Sequence, residues 1–182
     1  MSKYAFVDPS DNILYYRNRN EIDPAVDTKP GYRWLIVDVV IDPIDEITQV
    51  RLPMVRTIEP TRVLEYYGVR NKTAREITEM KLKKIDEIKK YAYDLIVGLM
   101  PEYKQRNSLA YASETVILYG TDRNNWPSEM QIKWGQDSNT WNIIKNIRTE
   151  SDMKEANVNL LTLATDIASY NVANNWPEGS GA

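Results

Sequence analysis

The sequence predicts an α+β fold, with a small antiparallel β domain over residues 1–70 and a helical hairpin or bundle over residues 71–182. Three observations lead there. Short runs of β-branched and aromatic residues, broken by Pro and Asx clusters, fill the front of the chain. Thr73 followed by Glu76 then forms a helix-opening signature. Beyond it, apolar residues recur at helical rather than alternating spacing.

The front elements follow in order. Residues 3–7 make a first strand. Asp8-Pro9-Ser10-Asp11-Asn12 is a reversal, because Pro fixes φ and Asx side chains bond their own backbone. Residues 13–17 return as the second strand of a hairpin. Residues 18–31 are polar and carry Pro24, Pro30 and Gly31, so they read as loop. Residues 32–41 form the strongest strand, and the near-continuous apolarity of Trp34-Leu35-Ile36-Val37 and Val39-Val40-Ile41 suggests cover on both faces. Pro43 ends it. Residues 47–52 and 54–58 are two further strands split by Pro53, which points to an edge or a bulge. Residues 62–69 supply one more.

The helical part opens with the Thr73 hydroxyl and Glu76 carboxylate satisfying each other's backbone N–H groups. Ile77, Met80, Ile85, Ile88, Tyr91, Leu95 and Leu99 then mark one buried stripe, and lysines supply the wet face. Leu82, Ile85, Ala92, Ile96 and Leu99 mark a second stripe close to coiled-coil spacing. The helix therefore presents a wide apolar face, suited to intrachain packing or to packing on a copy. Glu79 with Lys83 and Asp86 with Lys90 are expected ion pairs. Pro101 stops the helix because it lacks an N–H and its ring clashes backwards. A second helix is expected over 102–118 and a loop at a hairpin tip over 120–127. A third helix is expected over 128–148, and a last one from Ser151 or Asp152 to about residue 173. The end, Trp176-Pro177-Glu178-Gly179-Ser180-Gly181-Ala182, reads as a mobile small-residue tail unless a partner holds it.

Composition excludes several kinds of chemistry. The chain has no Cys, which removes disulfides, thiolate catalysis and cysteine zinc sites. It has no His, which removes the commonest general base and a Ser-His-Asp triad. With 23 basic against 26 acidic residues, the net charge of −3 gives no general attraction to nucleic acid or an anionic membrane. No apolar run approaches the roughly 18 residues of a membrane span. Met1-Ser2-Lys3-Tyr4-Ala5-Phe6 reaches Asp8 early, so no secretory signal is expected. Tyr and Trp, at 12 and 5, far outnumber the single Phe, which fits either wetted interfaces or a core that uses them in place of Phe.

Candidate motifs are few. Residues 8–12 begin like a calcium loop, but Ile13 and Arg19 stand where that loop needs its Gly and its bidentate Glu. Asp42, Asp45 and Glu46 around Pro43 read as a solvated turn. The Gly pattern contains no phosphate-binding loop, and no cofactor is expected. Lys104 and Ser108 sit at helical i,i+4 spacing and make a conceivable Ser-Lys pair, but no oxyanion site or pocket accompanies them. An enzyme is not expected.

At Met100-Pro101-Glu102-Tyr103-Lys104-Gln105-Arg106-Asn107, and again at Trp141 with Ile147-Arg148 and Ser151-Asp152, the chain resembles a broad group of small tailed-bacteriophage proteins. These are tail-fibre-associated, tail-fibre assembly or virion structural proteins. Pro30-Gly31-Tyr32-Arg33-Trp34 matches an element of their β-rich front. The likeness spans residues 1–160, and the chain departs from it in its long 113–128 segment and its C-terminal helix. The resemblance implies a non-enzymatic tail component near the fibre or baseplate. It would act by packing on other phage tail proteins, as a homo-oligomer in the assembled particle, with no nucleic-acid or membrane partner. The protein would be made in the host bacterial cytoplasm and reside in the virion tail. Residues 1–70 would dock and the helices would hold neighbours, or the reverse. A tail-fibre assembly chaperone absent from the mature virion and a carbohydrate-binding receptor module are the alternatives. Tyr103, Lys104, Gln105, Arg106 and Asn107 form the candidate motif. Tyr103 is expected to plug the core while Lys104, Gln105 and Arg106 satisfy helix ends and acidic neighbours. A direct role in partner contact is the other reading.

Overall fold

The computed structural model describes residues 2–22 and 29–179. The expected loop around Pro24 and the last residues of the tail, 180–182, lie outside the described residues. The chain divides into two compact units, residues 1–72 and 73–182.

The first unit is a sheet with strand order β2-β1-β3-β6-β5, formed by β1 (Lys3–Val7), β2 (Ile13–Asn18), β3 (Arg33–Ile41), β5 (Val55–Ile58) and β6 (Arg62–Tyr67). β4 (Gln49–Arg51) and β7 (Val69–Asn71) pair separately. The β1–β2 reversal forms as expected. The Asp8 carboxylate accepts the Ser10 and Asn12 backbone N–H groups at 2.8 Å each, and Asp11 takes a left-handed φ of 62°. The bond from the Asn12 N–H is the main cause that holds the Asp8 carboxyl below its ordinary value. A turn from Lys29 to Tyr32, closed by a 2.9 Å backbone bond, precedes β3. Gly31 has φ 81° there, a conformation that favours glycine, and a Cβ would also crowd the Pro9 ring at 3.0 Å.

Two features of the sheet differ from the expectation. β3 runs parallel to β6, with Val37 beside Val63, so the sheet is mixed rather than wholly antiparallel. Strand signals read each segment alone and carry no information about pairing direction. β3 is also not covered on both faces along its length: Leu35 and Val37 are buried, but Val39, Val40 and Ile41 are exposed. Pro53 does precede an edge strand, β5. The core gathers Ala5, Val7, Leu35, Val37 and Val63. Beside it the buried Glu65 accepts from Arg56 at 2.9 Å and from the Tyr16 hydroxyl at 3.0 Å. Burial pushes the Glu65 carboxyl up, but these bonds and the nearby Lys3 and Arg56 charges outweigh it, and the carboxyl lies below its ordinary value.

The second unit consists of α1 (Ala74–Leu99), α2 (Glu102–Tyr119), α3 (Ser128–Leu160) and α4 (Ala164–Ser169). The Thr73–Glu76 capping box is present, with the Glu76 carboxylate 2.8 Å from the Thr73 backbone N–H. α1 packs antiparallel on α3. Lys81 reaches the Asn159 carbonyl, Ile85 and Ile88 meet Val158, and Lys89 meets Glu155. These charges cross between helices. Within α1 the ion pairs are Arg75–Glu79 and Lys84–Glu87 rather than the two expected.

The expected break at Ser151 and Asp152 does not occur. α3 runs through it as one helix, because Ile144, Ile147, Ser151, Lys154 and Val158 form a single buried seam at alternating three- and four-residue steps. A capping residue is only a local signal, and the seam overrides it. The tail is also held as far as Trp176. Its ring stacks on Tyr91 at 5.5 Å, its N–H donates to the Val172 carbonyl, and Lys154 lies over its face. The buried Lys154 ammonium also donates to the Asn174 carbonyl and meets Glu150.

Candidate functional site

The motif around Pro101 sits at the α1–α2 corner. Met100 is buried, and the last bond of α1 runs from its N–H to the Ile96 carbonyl. Pro101 has φ −52° and ψ 148°, outside the helical range, and its carbonyl accepts the Lys104 and Gln105 N–H groups that start α2. Gln105 donates its side-chain amide to the Met100 carbonyl at 2.7 Å, which satisfies the orphaned end of α1. That much of the structural reading holds. Tyr103 does not plug the core: its side chain is 62% exposed. The physical reason is register, because Met100 already fills the corner and Gln105 takes the inward position of the first turn. Arg106 is also exposed and closes no helix end.

The motif therefore sends its side chains three ways. Glu102 and Gln105 face a groove of about 340 Å³ shared with α1 and with Arg148, Ser151 and Asp152 of α3. Both short motifs singled out in the sequence meet in this groove. Its floor is apolar, from Ala92, Ile96 and Val97. The Tyr93 hydroxyl donates to Glu102 at 3.1 Å, and that carboxylate raises the phenol above its ordinary value. Lys104 and Asn107 line a second hollow, of about 370 Å³, with Ser108, Lys133 and Asp137. Tyr103 and Arg106 face solvent.

Ser108 does not pair with Lys104. Its hydroxyl donates to Asp137 at 2.8 Å and accepts the Trp141 indole N–H at 3.2 Å, while Lys133 lies 3.2 Å from the same Asp137. This part-buried network fastens α2 to α3, together with Thr115, whose hydroxyl meets the Met130 sulfur at 3.8 Å and the Tyr111 carbonyl at 2.8 Å. Sequence reasoning missed the network. Its only signal was Ser108 and Thr115 at seven-residue spacing on one side of a helix whose other side carries Leu109, Ile117 and Leu118 among polar residues.

The Trp residues are all buried or half-buried. Trp126, Trp141 and Trp176 each place the indole N–H on an acceptor inside the helical unit. Trp134 stands edge-on to Trp126 at 5.3 Å, with its own N–H buried and unpartnered. For Trp, the core reading of the aromatic excess holds over the wetted-interface reading. Among the described residues no group of three or more acidic side chains is placed to hold a metal ion. Among them, too, no helix is long and apolar enough to cross a membrane.

No family model matches this chain, and comparison with curated proteins and with solved structures gave no significant match. The likeness to phage tail proteins rests on the short motifs alone.

Proposed function

We propose that this chain is a non-enzymatic bacteriophage tail component, associated with the fibre or baseplate, that works by packing against other polypeptides. One observation carries the reading. α2 buries the polar Ser108 and Thr115 while leaving Leu109, Ile117 and Leu118 57%, 81% and 60% exposed, beside outward polar residues such as Arg106 and Glu114. A helix that serves only its own unit has the opposite arrangement. Val116, Ile117, Leu118 and Tyr119 form a continuous run of exposed apolar side chains at the end of α2, and such a run marks a surface that another protein covers. The groove where the two short motifs converge offers a second, adjacent contact with an apolar floor and charged rim, as protein interfaces have.

The location that follows is the virion tail, after synthesis in the host bacterial cytoplasm. Mass spectrometry of purified particles tests it. Detection at a copy number comparable to known tail components supports the proposal, and absence from particles together with presence in infected-cell extracts replaces it with the assembly-chaperone reading. The carbohydrate-binding reading is weaker for the helical unit, because Trp126, Trp134, Trp141 and Trp176 are engaged inside it.

A further inference from the structure

The outward face of α2 has an internal symmetry. At roughly 100° per residue, Tyr103, Arg106, Ala110, Glu114 and Ile117 all project within about 40° of one direction. All are exposed. Ala110 is the centre: Arg106 and Glu114 lie four residues to either side of it, and Tyr103 and Ile117 seven. Neither Arg106 nor Glu114 has an ion-pair or hydrogen-bond partner among the described residues.

We infer that this face is the interface between two copies of the chain, packed antiparallel through α2 about a two-fold axis at Ala110. The inference rests on the packing reading above and names one partner, a second copy. An antiparallel two-fold pair sets each residue level with the one equally far on the other side of the centre. Arg106 of one copy then stands level with Glu114 of the other, twice, and Tyr103 stands level with Ile117, twice. Opposite charges meet and apolar side chains meet, with the small Ala110 at the crossing, where the two backbones must come close. A parallel pair about the same face would set Arg106 against Arg106 and Glu114 against Glu114, so the charges select the antiparallel arrangement. The contact uses one helix per copy and is expected to be a weak, concentration-dependent dimer in the free protein.

The test is sedimentation equilibrium of the full chain over a concentration series that reaches the high-micromolar range. The wild type is expected to be a reversible dimer. Arg106→Glu alone and Glu114→Arg alone each set like charges opposite each other, and each should weaken the dimer roughly tenfold or more. The double exchange, Arg106→Glu with Glu114→Arg, restores opposite pairing and should restore dimerisation. Circular dichroism checks that the helices are intact in each variant, which solvent-facing positions favour. A wild type that stays monomeric throughout the series, single variants that dimerise like the wild type, or a double exchange that fails to restore the dimer each overturns the inference. None of these outcomes bears on whether the chain is found in virions, so the two proposals fail separately.

Discussion

α1 and α2 are neighbours in sequence, joined at Pro101, yet they solve opposite problems. α1 buries the apolar residues at its centre, Ile85, Ile88 and Ala92, and turns Lys83, Asp86, Glu87 and Lys90 to water, although Leu82 of its second stripe is exposed. α2 buries Ser108 and Thr115 and leaves Leu109, Ile117 and Leu118 in solvent. The first helix is explained by the fold that contains it. The second is not, because a sequence that only had to hold α2 on α3 would place leucine inward and serine outward. Its inward polar residues are nonetheless satisfied, by Asp137, Trp141 and the Tyr111 carbonyl, so the reversal is built and internally consistent. The difference separates a helix that makes the unit from a helix that the unit presents.

That contrast can be broken by mutation. The largest effect is expected in α1, where Ile88→Ala leaves a cavity at a fully buried position and should cost about 2–5 kcal/mol in urea denaturation. A loss under about 1 kcal/mol there would mean that the α1–α3 seam is loosely packed. Ser108→Ala should cost less, about 1–3 kcal/mol, because it strips the Trp141 indole of its acceptor and Asp137 of one donor. If this variant is as stable as the wild type, the inward polar network is ornamental and the reversal loses its support. Ile117→Ser is expected to change the stability of the dilute protein by no more than about 0.5 kcal/mol, since the side chain is already in water. A loss as large as that of Ile88→Ala would show that Ile117 is covered within its own unit.

Much of this fold was legible where a local rule governs. The Thr73–Glu76 box, the stop at Pro101, the Asp8 turn and the edge position after Pro53 each follow from the conformational limits of the residues involved. What escaped was set by contacts far apart in sequence. Ser151 looks like a cap and is instead one step of a buried seam on α3 that packs against α1, far back in the chain. Trp176 looks like the start of a loose tail, yet Tyr91 and Lys154 hold it. The parallel β3–β6 pairing depends on the route between strands, which strand composition does not encode. For the candidate motif, the role of Gln105 was readable because helix ends need partners, whereas the exposure of Tyr103 depended on Met100 filling the corner first.

The absence of cysteine makes the central claim directly measurable, because a single introduced thiol is the only one in the molecule. Ala110→Cys places it on the two-fold of the α2 face, and Lys145→Cys places it at an exposed position on α3 as a control. Under mild oxidation the outward face of α2 should bring the introduced thiols of two copies within disulfide reach and give a covalent dimer far faster than the control. Equal cross-linking of the two variants, or none in either, would contradict the account that a second copy of the chain covers the outward face of α2.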